Sequence, residues 1–187
     1  MDEKFRGKYR TVSARASWWD YGSNAAYFVT ICTKNRIHYF GQVIQGEMQL
    51  SEIGIMADTC WQAIPEHFPF VKLGNHIIMP NHVHGIIIID KMDDERMVET
   101  QNLAFLRASS TNTPKNKFGP QSQNLASIIR GFKIGVTKSA RRVQPNFTWQ
   151  SRYHDHVIRN EKSFRNISRY ITNNPRKWSE DRFFAKN

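Results

Sequence analysis

Met79-Pro80-Asn81-His82-Val83-His84-Gly85, running into four isoleucines at 86–89 and stopping at Asp90, constrains the fold more than any other stretch. A β-branched run of this length, opened by a proline and closed by an acidic cluster, predicts a buried strand. Side chains alternate faces along a strand, so His82 and His84 point to the same side. Two imidazoles there can grip one divalent cation in an open site. They can equally be hydrogen-bonded histidines at a strand start, and the motif alone leaves both readings open.

The rest of the chain arranges itself around that strand. Residues 25–33 predict a first apolar strand, and 43–50 a short hairpin turning at Gln45-Gly46. Ser51 caps a helix whose buried stripe is Ile53, Ile55, Met56, Cys60, Trp61 and Ile64. Residues 70–79 predict another strand, with His76 in a structural role, before the tight Pro80-Asn81 turn. Leu125, Ile128, Ile129, Phe132 and Val136 give 125–143 the helical period; 147–158 reads as a last strand and 160–178 as a basic amphipathic helix. Strand, helix, strand, strand, helix, strand is the split βαβ pattern. The expected fold is therefore α+β: a ferredoxin-like, RRM-like antiparallel sheet (βαββαβ) with helices on one face and an extra C-terminal helix carrying Tyr170. The domain spans 25–187, preceded by a basic arm at 1–24. Residues 91–124, acidic and then rich in polar residues and proline, predict a flexible insertion, with Leu103, Phe105 and Leu106 as a short docking patch.

At 187 residues the chain is most simply one domain, and 40% apolar content excludes a disordered protein. Lys and Arg number 27 against 16 Asp and Glu, a net charge of +11 that fits a polyanion, either nucleic acid or an anionic membrane. No apolar run approaches the ~20 residues that span a bilayer, and the first residues lack the apolar core of a signal peptide. Cys32 and Cys60 lie far apart with no zinc spacing, as in reduced thiols of a cytoplasmic protein. Nucleic acid therefore leads over membrane, with a nucleoid-associated location. Arg130, Lys133, Lys138, Arg141 and Arg142 are almost unopposed by acids and read as a DNA-backbone stripe, where the plainer reading is a solvated face. In the arm, Arg6, Lys8 and Arg10 with Trp18, Trp19 and Tyr21 suit phosphate contacts plus base stacking; packing of the tryptophans onto the domain is the alternative.

Tyr170 and Asn174 stand four residues apart and share a helix face. A His-Val-His strand after Met-Pro-Asn, followed far downstream by Tyr170-Ile171-x-x-Asn174-Pro175, resembles the single-tyrosine HUH transposases, especially the REP-associated tyrosine transposases. The resemblance runs over residues 27–178 and weakens across 91–124. It implies a metal-dependent endonuclease and strand transferase acting on single-stranded DNA with a hairpin or palindrome, as a monomer or homodimer. It further implies that Tyr170 is the nucleophile, leaving a 5′-phosphotyrosine and a free 3′-hydroxyl. His82, His84 and Asn174 then hold Mg2+ or Mn2+. No phosphate-binding glycine loop is visible, consistent with strand transfer that uses no nucleotide cofactor. Pro175 is expected to pull Asn174 away from helical geometry.

Several rivals stand beside this reading. His154-Asp155-His156 is a second His-x-His, and Tyr153 a second tyrosine; the resemblance places their segment on a supporting strand, with Arg152 and His154 near DNA or the site's edge. Tyr170 borders an apolar face of Phe164, Ile167, Ile171 and Trp178, where a tyrosine is commonly core. A competing class is a non-catalytic RRM-like module that binds single strands by stacking on Tyr27, Phe28 and Trp149. The RRM consensus is missing. A domesticated transposase that only binds DNA is a third possibility.

Overall fold

The computed structural model describes residues 4–5, 8–9, 19–91 and 122–184. Strands β1 (Lys4–Phe5) and β2 (Lys8–Tyr9) pair with each other. There follow β3 (Ala25–Cys32), a 3-10 turn (Lys34–Arg36), and the hairpin strands β4 (Gly41–Ile44) and β5 (Glu47–Leu50). Next come α1 (Glu52–Gln62), α2 (Ile64–His67), β6 (Val71–Met79) and β7 (His82–Ile89). The chain finishes with α3 (Leu125–Ala140), β8 (His154–Ile158), α4 (Glu161–Asn173) and a second 3-10 stretch (Pro175–Glu180).

Local chemistry explains most of these boundaries. Gln45 and Gly46 both take positive φ, the two-residue turn that matches the twist of a tight hairpin. Side-chain oxygens of Ser51, Asn124 and Asn160 accept from the backbone N–H three residues on, capping α1, α3 and α4. Asn124 and Ser127 reciprocate as a full capping box.

One antiparallel sheet orders its strands β6-β7-β3-β8, the ferredoxin-like arrangement, with β7 and β3 central. Tyr27, Val29, Ile31, Val83, Ile87 and Ile89 face α1 and α3, packing with Trp61, Ile128 and Phe132. Ile86, Ile88 and Ile158 face the other way, under Ile171, Phe164 and Ile167 of α4. Every residue from His82 to Ile89 is consequently buried, which is why that strand reads as an unbroken apolar run. Gly85 lets Trp61 lie against β7, since a Cβ there would come within 2.2 Å of the indole. The pairing Thr30 with His84 and Cys32 with His82 keeps both imidazoles on the α4 side.

Four expectations need correction. Residues 147–153 are not continuous strand; only His154–Ile158 is. Their backbone groups are taken elsewhere: Gln150 N–H donates to Cys32, Trp149 bridges to Thr33, and the Lys133 ammonium binds the Gln150 and Arg152 carbonyls. Asn174, despite preceding Pro175, remains helical (φ −57°, ψ −41°), because proline opens a tighter 3-10 stretch in which its missing N–H is not needed. The helix expected over 160–178 therefore changes pitch after Asn173, and that expected over 125–143 ends at Ala140.

The segment 92–121, with its proposed docking patch, lies outside the described residues, as do Arg6, Arg10 and Trp18. Either side of that segment the chain is anchored to one turn. Asn24 bonds both backbone groups of Lys91, the Lys91 ammonium donates to the Gly22 carbonyl, and Leu125 N–H donates to Tyr21. Trp19 donates to the Tyr27 hydroxyl at 3.1 Å and Tyr21 stacks on the Tyr27 ring, so these arm aromatics pack onto the domain. Among the described residues no helix is long and apolar enough to cross a membrane.

Candidate active site

His82 and His84 open β7 with their rings 4.4 Å apart. The Asn81 carboxamide donates through Nδ2 to the carbonyls of Arg36 (3.1 Å) and Phe183 (2.9 Å), so its Oδ1 is the acceptor facing His82 Nδ1 at 2.9 Å. The His82 proton therefore sits on Nδ1, and Nε2 presents a lone pair. That Nε2 is buried and has no hydrogen-bond partner. His84 Nδ1 lies 2.9 Å from Thr30 Oγ1, and its Nε2 lies 3.2 Å from the Tyr170 hydroxyl. Burial holds both imidazoles neutral. His84 is pushed down to about 3, first by desolvation and then by Arg182 and His154. His82 is lowered well below its ordinary value by desolvation, then by His84, Arg36 and Arg182. Neutral imidazole is the form that binds metal.

Helix α4 reaches these histidines because Phe164, Ile167 and Ile171 seat its apolar face on β6 and β7. Tyr170 borders that face, edge-on to Phe28 and 45% exposed. Its hydroxyl is made less acidic by burial and by Asp181, against a hydrogen bond from Asn174 and the charge of Arg182. Asn174 is buried; its Nδ2 donates to Asp181 Oδ2 at 3.2 Å while its Oδ1 has no partner. The 3-10 stretch folds the chain back so that Phe183 packs on His82 at 4.6 Å, and Asp181 comes with it. Ligand atoms of His82, His84 and Asp181 lie within 4.8 Å of one another.

Two imidazole nitrogens and a carboxylate oxygen form a donor set that suits a catalytic divalent cation with open positions. The orphaned His82 Nε2 and Asn174 Oδ1 are the buried atoms such an ion would satisfy. His82, His84, Tyr170 and Asn174 are thus brought together. Asp181 is the residue that sequence reasoning missed. Its only signal is the acidic pair Glu180-Asp181 among the cations Arg176, Lys177 and Arg182, and no spacing rule ties it to the histidines.

The rivals fall elsewhere. His154 and His156 lie exposed on β8, facing the same side as Thr30 and Phe28, and join no three-ligand group among the described residues. Tyr153 packs against the main core. His76 pairs with Asp58 at 2.8 Å and stacks on Trp61. Tyr27 is fully buried, Phe28 lies against His84 and Tyr170, and Trp149 is packed against the core. These three offer no open stacking platform.

The candidate DNA-contacting cations divide. Lys133 works within the protein: its ammonium, drawn down to about 8 by burial, donates to the carbonyls of Gln150 (2.7 Å) and Arg152 (3.2 Å). Arg141 donates through Nε to the Phe147 carbonyl at 3.2 Å. Arg130 and Lys138 stand exposed on α3, with Arg142 exposed just beyond its end. Arg152 and His154 are exposed beside the histidine face, and Lys8 belongs to β2.

No protein-family model matches the chain. An uncharacterized protein of Haemophilus influenzae is 41% identical over 181 residues, covering 96% of each chain. A second protein of that bacterium, provisionally named a REP-associated tyrosine transposase, is 25% identical over 145 residues, 76% of this chain and 72% of that one. A solved structure of a REP-associated tyrosine transposase bound to a REP hairpin superposes with a TM-score of 0.56 at 21% identity, over 89% of this chain and 74% of that one. In sequence and in fold this chain is similar to the REP-associated tyrosine transposases. The α+β sheet with its helices is the fold of those transposases.

Proposed function

We propose that this transposase relative is a metal-dependent, single-strand-specific DNA endonuclease and strand transferase acting at hairpin-flanked sites. The observation that carries the reading is the Tyr170 hydroxyl 3.2 Å from His84 Nε2, beside a second imidazole whose Nε2 is buried without a partner. The likeness to a transposase bound to a hairpin supports a DNA-processing role and a hairpin substrate.

His82 and His84, with Asp181 or Asn174 as the oxygen donor, would hold Mg2+ or Mn2+. When bound, such an ion withdraws charge from a phosphodiester oxygen and offsets the charge that builds during attack. Tyr170 loses its proton to solvent and its oxygen bonds to phosphorus. The bond to the 3′-oxygen breaks, and that oxygen takes up a proton as the free 3′-hydroxyl. The product is a 5′-phosphotyrosine, which conserves the phosphodiester and lets a 3′-hydroxyl reverse the step. Asn174 steadies the phenol, while α4 excludes water from the side of the site that Ile171 seals. The exposed cations Arg130, Lys138, Arg142 and Arg152, with the arm, contact the DNA backbone around the site, and exposed His154 contacts the DNA beside them.

The test is a cleavage assay on a pool of labelled hairpin-flanked single-stranded oligonucleotides with Mn2+ or Mg2+, read as covalent adducts on a denaturing gel. The expected result is a metal-dependent adduct that vanishes in Tyr170→Phe and His82→Ala. An adduct that survives Tyr170→Phe and disappears in Tyr153→Phe would move the nucleophile. Binding indifferent to metal and to both substitutions, with no adduct, would favour a stacking module.

A further inference from the structure

A cavity of about 290 Å3 opens on the histidine face, one strand over from His84. Its floor is Thr30, whose neighbours across the sheet are His84 on β7 and His154 on β8. Phe183, packed on His82, forms the wall shared with the metal-ligand cluster. The guanidiniums of Arg36 and Arg182 lie over the Phe183 ring, 4.1 and 4.7 Å from its centre. Among the described residues no carboxylate lines the cavity. Arg36 Nη1 is buried and has no hydrogen-bond partner. A buried guanidinium nitrogen without an acceptor is a costly arrangement that an anionic oxygen relieves. The volume suits one nucleotide and excludes a duplex.

Position decides which nucleotide. Tyr170 approaches His84 from the Phe28 side, whereas the cavity begins at Thr30 and Cys32, and Tyr170 takes no part in its lining. In-line displacement puts the leaving oxygen opposite the attacking one. We propose that this cavity seats the nucleotide carrying the departing 3′-hydroxyl, its 5′-side phosphate on Arg36 and Arg182 and its base edge toward Gln150 and His154. The proposal rests on the tyrosine-nuclease reading above and deepens it. A seat there retains the cleaved strand, so that its 3′-oxygen can attack phosphorus again. The phosphorus–tyrosine bond then breaks, the hydroxyl proton leaves to solvent, and Tyr170 regains one. A side-chain carboxamide and an imidazole against the base also select which base precedes the cut.

The first arm of the test needs no cleavage. The isotope-labelled full chain, in a metal chelator, is titrated with random-sequence deoxytrinucleotides or with inorganic phosphate alone. The trinucleotides are expected to move the Arg36 and Arg182 Nε–H signals and the Gln150 amide. Arg36→Gln and Arg182→Gln should each weaken their affinity about 10-fold, and Lys72→Gln, a cation removed on a remote strand, should not. Exposed Gln150→Ala supplies a variant that leaves packing intact should Arg36→Gln loosen the fold. Signals that move only on α3 would overturn the seat, as would a response to phosphate equal to that to trinucleotides.

In the second arm, the isolated adduct is chased with a labelled single strand bearing a 3′-hydroxyl. The variants should raise the half-saturating strand concentration about 10-fold while the adduct still depends on Tyr170. An unchanged concentration would sink the leaving-strand role yet leave the nuclease reading standing. Absence of any Tyr170-dependent adduct in wild type overturns both.

Discussion

Asn81 and His82, adjacent in the chain, are also joined side chain to side chain, Oδ1 accepting Nδ1–H at 2.9 Å. The same buried carboxamide holds the carbonyl of Phe183, 102 residues away. One residue thus fixes the His82 tautomer and ties the C-terminal stretch over the site. Asn81→Ala is expected to weaken Mn2+ binding by about 10- to 100-fold, the usual effect of losing a partner behind a metal ligand. It should also cost about 2–4 kcal/mol of stability through the abandoned buried groups. A manganese titration by electron paramagnetic resonance beside a urea melt checks both; unchanged affinity in a folded variant would refute the orienting role.

Gly85→Ala drives a methyl group into Trp61. Overpacking of this kind costs about 1–3 kcal/mol, and here the shift moves the backbone between His84 and Ile86. Trp61→Leu in the same chain should recover part of the loss. A double-mutant cycle by chemical denaturation measures the coupling, and strict additivity would show that the ring does not bear on the strand.

Asp181 and Asn174 compete as the oxygen donor. Asp181→Asn is expected to reduce Mn2+ affinity at least about 10-fold if the carboxylate binds the ion. In the metal-free protein it should also make the Tyr170 phenol more acidic, because a nearby negative charge favours the protonated form. The phenolate absorbance of each protein minus that of its Tyr170→Phe counterpart reads this. Full manganese affinity in Asp181→Asn, lost in Asn174→Ala, would assign the ligand to Asn174.

Without metal, stability should fall with acid. An unfolded histidine takes up a proton near 6.5, whereas folded His84 resists until about 3. Between those values the unfolded state binds more protons, so stability declines as pH drops, by about 1.4 kcal/mol per unit for each such histidine. His82 is shifted in the same direction and steepens the decline. Urea midpoints taken in a chelator between neutral pH and pH 5 test the slope, which His84→Gln should reduce.

Lys133 and Lys138 sit on the same helix but should behave differently. Lys138→Gln is expected to lower the salt dependence of single-stranded DNA binding by about one phosphate contact. Lys133→Gln should leave that slope unchanged and instead destabilise the 149–153 segment whose carbonyls it holds. Binding isotherms over a salt series separate the two; equal slopes would return Lys133 to the DNA surface.

Much of this arrangement is legible in the sequence because it rests on local periodicity. The isoleucine run, the Ser51 cap and the Gln45-Gly46 turn each specify their own geometry. The i, i+4 spacing likewise brings Asn174 to Tyr170, and α4 stays regular far enough to honour it. What escapes is tertiary. Asp181 reaches the histidines only because a 3-10 stretch reverses the chain and Phe183 finds His82 to pack on. Phe147-Thr148-Trp149 looks like strand, but a lysine on α3 takes the carbonyls that follow it. The same bond makes Lys133 a poor choice for DNA, a fact invisible in a row of cations.

The turn at 20–24 holds both Lys91 and Leu125, so the end of β7 and the start of α3 are tied at a single seam. The entropy of closing a loop grows only with the logarithm of its length. Because the seam is held by its own hydrogen bonds, whatever sequence joins Lys91 to Leu125 starts and ends on one turn, making this seam the natural port for grafting a new module onto the protein.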